Sequence, residues 1–489
     1  MIKTMSSGVT LYNIQNSKEL KPFYPLKYNQ VSENLRIKRA TTSAQRRLRR
    51  RLRKRVRDLV RARMFARARI VRRRLKASHA KKGTILGIYL RNCYNSIKKD
   101  HFYISSKNES FYEQDDEFHT TLCDLTNYKC LYYPHQSYFK IPFNRVNHLK
   151  EIEITSNITG ETINYQLDTS AANSKPFDGI TVCTPLLYYY NNWLQMFMFL
   201  EKWREEKNVR VIIYYRSISS DVYELLKYYQ KLNIVHLIPA PIFPRSDPME
   251  KFTATAIGMG PLFFNDCMYR NNTKYLTVMD VDEYFHIFDE KSRKKGLLEF
   301  VKKSIRQYPK YGFFNFESLY ISYLNKNVSK SFHFATKGLL TEDNHNKGGK
   351  SVMLTDRINY PSYHLPLFTK VNDGHRYKRK EAIILHARPN IIFKNVKSKE
   401  KIQSLNESER KKLVSNYKTL TKKLNKNLVF TYKPTIIKNL KECMLEKTKK
   451  DENSCYYNVE PCKEEMNLLE NWIYTSKEKE NYQDYVTFE

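Results

Sequence analysis

The chain has 489 residues, 41% of them hydrophobic and 13% aromatic, which is enough apolar material for two or more domains and excludes a chain disordered throughout. Its 86 Lys and Arg against 50 Asp and Glu leave a formal charge of +36, pointing to an acidic partner such as nucleic acid, an anionic membrane or a phosphorylated ligand. Eight cysteines with no CxxC pair are too sparse for a disulfide scaffold and argue against a structural zinc site.

Residues 1–82 read as a basic, Arg-rich arm. Between 46 and 76, "RRLRRRLRKRVRDLVRARMFARARIVRRRLK" holds 15 Arg and two Lys against Asp58 alone. Leu48, Leu52, Val56, Leu59, Val60, Met64, Val71 and Leu75 recur at helical intervals, so a lone helix here would carry one apolar stripe surrounded by guanidinium groups. Such a helix suits phosphate contacts to RNA, DNA or anionic lipid, and it equally suits a solvated arm with no dedicated ligand. The longest apolar run near the start, "TILGIYL", has seven residues, far short of the roughly 20 that span a membrane. With no apolar signal region in the first 45 residues, the chain reads literally as soluble and intracellular.

Residues 100–176 read as a small β-rich module, in which "EIEITSNITGETINYQL" predicts a hairpin. From 177 to 395 the pattern changes to successive β-α units. "GITVCTPLLYY", "VRVIIYY" and "IVHLIPA" are strands, and they alternate with the helices "NNWLQMFMFLEKWREEK" and "SDVYELLKYYQKL". A helix at "TATAIGMGPLFFNDCMYRNN", a strand at "KYLTVMDVDEYF", a helix at "KGLLEFVKKSIRQYP" and a strand at "YGFFNFESLYISYL" continue it. The expected fold class is α/β, Rossmann-like, with a mostly parallel sheet flanked by helices. Residues 396–489 form a Lys-rich helical extension with no assigned role. Cys123 with Cys130, and Cys455 with Cys462, are each seven apart and could close small loops in an oxidising compartment, or stay reduced. Five Asn-x-Ser/Thr sequons, at Asn108, Asn157, Asn271, Asn327 and Asn406, carry little weight in so Asn-rich a chain.

Ligands of open α/β sheets lie beyond the carboxyl ends of the strands, and there "VMDVDEYF" places Asp280, Asp282 and Glu283. In one continuous strand Asp280 and Asp282 share a side and Glu283 points away. Hard oxygen ligands in that number suit Mn²⁺ or Mg²⁺ bridged to phosphate oxygens. No Walker loop is present, and the Glu-Tyr that follows the Asp-x-Asp argues against a phosphoryl-aspartate enzyme.

The ordered blocks "VCTPLL", "WLQMFMFLEKWREEKNVRVIIYY", "NDCMYRNNTKYLTVMDVDEYF", "GGKSVM" and "ILHARPN", over roughly 179–390, resemble glycosyltransferase family 92, a family abundant in nematodes. The resemblance implies a GT-A fold and a nucleotide-sugar donor, UDP-galactose in characterised relatives. It also implies a glycan or glycoprotein acceptor, inversion at the transferred sugar, and a membrane-anchored place in the Golgi. Carried onto this chain, it implies that Asp282 ligates the metal, Asp280 contacts the ribose or the metal through water, and His386 completes the metal shell. Lys350 and Arg388 match basic positions facing the diphosphate, and Asp266 and Arg270 match the preceding helix. An inverting transfer also needs a carboxylate base. Glu317 is the first candidate for it, with Asp343 and its neighbour Glu342 behind. The competing reading is a nucleic-acid-binding protein that acts through residues 46–76 with an inert transferase-like domain. A carbohydrate-binding module without turnover is a third.

Overall fold

The β-α periodicity is realised in order. Strand Phe177–Cys183 (β1) leads to helix Trp193–Glu205 (α1), strand Val209–Tyr215 (β2), helix Ser220–Lys231 (α2) and strand Val235–Pro239 (β3). Helix Gly260–Arg270 (α3), strand Thr273–Val278 (β4), strand Glu283–Ile287 (β5), helix Leu297–Gln307 (α4) and strand Phe313–Tyr323 (β6) follow. Strands Lys337–Glu342 (β7), Lys350–Leu354 (β8), Ala382–His386 (β9) and Lys401–Gln403 (β10) complete the main sheet, and helices Glu407–Leu424 (α5) and Thr435–Lys450 (α6) come after it. The computed structural model describes residues 175–240, 260–342, 348–366, most of 368–428, 435–450 and 458–475, and before them the backbone of seven short strands between 10 and 166. The basic run 46–76, Cys123, Cys130 and Asp343 lie outside the described residues.

Two compact units are distinguished. One, of residues 15–84 and 140–147, lies almost wholly outside the described residues, and the other holds residues 1–14, 85–139 and 148–489. In that unit the predicted hairpin forms, with Glu151–Ser156 antiparallel to Thr162–Gln166.

The main sheet runs β3-β2-β1-β4-β8-β6-β7-β10. Its first four strands are parallel, as β-α-β crossovers require, and from β8 onward the path continues antiparallel. Strand β9 lies parallel to β6 and antiparallel to β5. Helix α1 begins where the Asn192 side chain accepts a hydrogen bond from the Gln195 N–H (3.1 Å), and it buries Trp193, Leu194, Phe197, Leu200 and Trp203. Each large apolar side chain so buried contributes about 1.5–3 kcal/mol.

Helix α5 shares this core. Tyr417 packs against Trp193, Phe197 and Phe332, with Leu413 and Leu420 beside it. The segment after α6 is also folded onto the domain: Trp472–Tyr474 pairs with Ser217–Ser219, and buried Arg216 meets Glu460 (3.2 Å) and Thr475 (2.7 Å).

The cysteine pairing differs from the expected one. Cys462 bonds to Cys443 rather than Cys455, because α6 packs on residues 458–467 through Ile436, Met444, Val459 and Met466. A second disulfide joins Cys183, at the end of β1, to Cys267 on α3, a long-range pair that sequence spacing does not reveal. Of the sequons, Asn271 is buried and donates to the Cys267 carbonyl, Asn406 caps α5, and Asn327 is exposed. Among the described residues no helix is long and apolar enough to cross a membrane.

Candidate active site

The acidic segment is a turn. Strand β4 stops at Val278, the Glu283 N–H bonds to the Asp280 carbonyl (3.0 Å), and β5 starts at Glu283 as the antiparallel partner of β9. The turn is fastened on both sides, by the Met279 N–H on the Cys183 carbonyl (3.0 Å) and the Ala387 N–H on the Asp282 carbonyl (2.7 Å). This overturns the expectation that Glu283 points away, since a β-turn between two strands resets the alternation that one continuous strand would impose. Glu283 instead points inward and is wholly buried.

Its partner is Lys350, at the start of β8 and equally buried. The Lys350 Nζ lies 2.7 Å from Asp280 Oδ2 and 3.0 Å from Glu283 Oε2. Burial works against the ammonium, and the two carboxylates outweigh it, holding Lys350 protonated. Burial likewise works to raise the Asp280 carboxyl, and the charge and hydrogen bond of Lys350 turn the net shift downward. Glu283 is the loser of the three: burial, with the charges of Asp280 and Asp282, pushes it up to about 7 against the pull of Lys350 and His386. The expectation that Lys350 faces a diphosphate is corrected accordingly. It sits behind the carboxylates, where it supplies the cation that buried acids require.

The "GGK" spelling builds that seat. Gly349 has φ +62°, and a Cβ there would collide with the Phe316 carbonyl oxygen, so a side chain is excluded. Asn315 on β6 donates to the Gly348 carbonyl (2.7 Å) and the Ser351 hydroxyl (3.1 Å), clamping the strand start that aims Lys350 inward. Neither Asn315 nor Gly349 was singled out from the sequence. An unexplained glycine before a lysine in "GGKSVM" was the available signal.

His386 is brought beside two of the acids of the turn. At the end of β9 it lies with Nε2 3.4 Å from Asp282 Oδ2 and Nδ1 3.7 Å from Glu283 Oε1, and its ring packs on Tyr320 at 5.0 Å. Arg388 is exposed and donates to the Tyr320 hydroxyl (3.1 Å), at the edge of the same cluster. Asp266 and Arg270 form a two-pronged pair on α3, with bonds of 2.8 and 2.9 Å, and the Tyr214 hydroxyl closes it at 2.5 Å. Their role is to pin α3 to β2.

Glu317 is not gathered with these groups. It lies one residue from Phe316, whose ring meets Phe285 on the Glu283 side of the sheet, and three from Tyr320, so the alternation of β6 sets it on the opposite face. An apolar pocket adjoins the turn, lined in part by Leu194, Phe199, Val281, Asp282, Tyr323 and Phe334.

These residues fit a divalent cation. Glu283 Oε1 is buried and accepts no hydrogen bond from the described residues, and Asp282 and His386 stand at a separation that two ligands of one ion can have. Among the described residues no group of three His, Cys, Asp or Glu is placed to hold a metal ion by itself. A Mg²⁺ or Mn²⁺ site completed by substrate phosphates and water needs none.

No curated protein matches the chain significantly. Among solved structures it is similar to S. aureus TarS 1-349 in complex with UDP-GlcNAc, at 11% identity over 59% of this chain and 92% of that one, with a TM-score of 0.27. It is also similar to the mannosyltransferase PcManGT from Pyrobaculum calidifontis in complex with GDP-Man and Mn²⁺, at 9% identity over 38% of this chain and 47% of that one, with a TM-score of 0.21. The family comparison is decisive where these are not: the model for glycosyltransferase family 92 matches residues 178–467, more than half of the chain and the whole of the site just described, so the chain belongs to glycosyltransferase family 92.

Proposed function

We propose that this family member is a metal-dependent, inverting glycosyltransferase that moves a hexose, galactose by the family resemblance, from a UDP-sugar to a glycan acceptor. The observation that carries the reading is the placement of Asp282 beside His386 at the mouth of an acidic turn whose inner charge Lys350 offsets in part. Asp282 and His386 would hold Mn²⁺ or Mg²⁺, and Asp280, fixed on one oxygen by Lys350, keeps its other oxygen for the ribose or for metal-bound water. A bound divalent cation would neutralise the charge that develops on the departing nucleoside diphosphate. Arg388, exposed at the rim beside Tyr320, is suited to a phosphate oxygen. The acceptor's proton must go to a carboxylate. The alternation of β6 counts against Glu317, so Asp343 is proposed as the base.

The proposed setting is the secretory pathway. The disulfides seen among the described residues, Cys183–Cys267 and Cys443–Cys462, favour an oxidising compartment. The direct experiment offers the purified chain several nucleotide sugars and glycan acceptors with Mn²⁺ and follows product mass. Transfer from a UDP-hexose supports the reading. Binding of the donor without transfer or hydrolysis under any of these conditions rejects it.

A further inference from the structure

Lys350 has no exposed surface, and its ammonium is held by Asp280 at 2.7 Å and Glu283 at 3.0 Å, with the Tyr363 ring 5.9 Å away. Its seat is built by a left-handed glycine, a conformation a side chain would resist, and by the Asn315 clamp. With all three carboxylates ionised, they and the one ammonium leave two negative charges in the turn, which one divalent cation balances. Without the ammonium, Asp280, Asp282 and Glu283 would together draw a metal ion inward and hold it whether or not nucleotide were present.

We propose that Lys350 is a positioning residue, a fixed internal cation that occupies the inner side of the acidic turn, leaves Asp282 and His386 as the outer metal ligands, and keeps the affinity for the bare ion low until a diphosphate adds its oxygens. The proposal rests on the metal-dependent reading above. It accounts for the inward-facing Glu283, which spreads the ammonium's attraction over two acids and so leaves Asp282 free.

The test measures binding of Mn²⁺ alone, and of Mn²⁺ with UDP, by the electron paramagnetic resonance signal of the free ion, with thermal melting to follow folding. Lys350→Met should bind Mn²⁺ alone about tenfold more tightly, Glu283→Gln about tenfold more weakly, and the double variant should return to the wild-type affinity. A lysine that only maintained structure would give weaker or unchanged binding in Lys350→Met, and that result overturns the proposal. Should Lys350→Met fail to fold, the double variant decides: wild-type affinity beside a weak Glu283→Gln supports the proposal, and affinity as weak as Glu283→Gln overturns it. If the wild-type chain binds no Mn²⁺ even with UDP, the metal-dependent reading falls and this proposal with it. If wild-type binding is normal and the sign pattern is absent, this proposal falls alone.

Discussion

Two buried glutamates of the same domain have opposite fates. Glu201, on α1, is 2% exposed, and both its oxygens are occupied: Oε1 takes the Tyr229 hydroxyl (2.5 Å) and Arg204 (3.1 Å), and Oε2 takes the Asn416 amide (2.5 Å). Glu283 is more deeply buried, yet only Oε2 is bonded, to Lys350 and the Asp280 N–H, while Oε1 faces His386 at 3.7 Å with no hydrogen bond. The first cluster is closed and ties α1 to α2 and α5. The second is unfinished and lies next to a partly exposed Asp282. Burial of charge therefore does not mark a functional site by itself. Incomplete satisfaction of a buried charge beside an accessible acid is the feature that singles out the second cluster as the candidate.

The largest effect that could break this contrast is on chemistry. Asp282→Asn removes the proposed outer ligand and should cost about a thousandfold in turnover, roughly 4 kcal/mol of barrier, with a melting curve close to that of the wild type. Wild-type rates in this variant would mean that the open cluster is as inert as the closed one. Next, Glu201→Ala leaves the Tyr229 hydroxyl and the Asn416 amide unpaired and should lower unfolding stability by about 3 kcal/mol in denaturant titrations. Its turnover well below the melting point should be unchanged, and a loss there would put Glu201 in the machinery.

A third effect is acid sensitivity. His286 shares β5 with Glu283, and burial, together with the charges of Arg293 and Lys202 and against that of Glu409, pushes its imidazole from 6.5 down to about 4. The unfolded chain takes up this proton below pH 6.5 and the folded chain does not until near pH 4. Stability from this group is therefore fully present above pH 6.5 and is lost as pH falls toward 4, by roughly 2 kcal/mol at pH 5. His286→Gln should flatten that part of the curve, and a variant with the wild-type slope would exclude His286 as its source. The smallest effect is at the rim, where Arg388→Ala should raise the donor KM by about two- to fivefold with little change in kcat.

What could be read in advance follows from how local each signal is. The face of α1, the succession of strands and helices up to β4 and the hairpin at 151–166 depend on periodicity and turn residues within one segment, and they were legible. The convergence of Asp282 and His386, more than a hundred residues apart, came only through the family resemblance. The inward turn of Glu283 was hidden because residues 279–282 leave what reads as one strand and turn, so the alternation of β4 is not carried into β5. The same alternation, applied to β6, displaces Glu317. The disulfide partners of Cys183 and Cys462 were hidden because packing of α3 and α6 chose them over nearer cysteines in sequence.

The most direct test of the two-residue grip on a metal and a UDP-sugar is turnover of UDP-galactose by the chelator-treated protein, titrated with Mn²⁺ in the wild type and in Asp282→Asn. Wild-type turnover should vanish without metal and return saturably as Mn²⁺ is added, and the variant should stay near background over the same range. Full turnover in the presence of chelator, or equal Mn²⁺ response in both proteins, would contradict it.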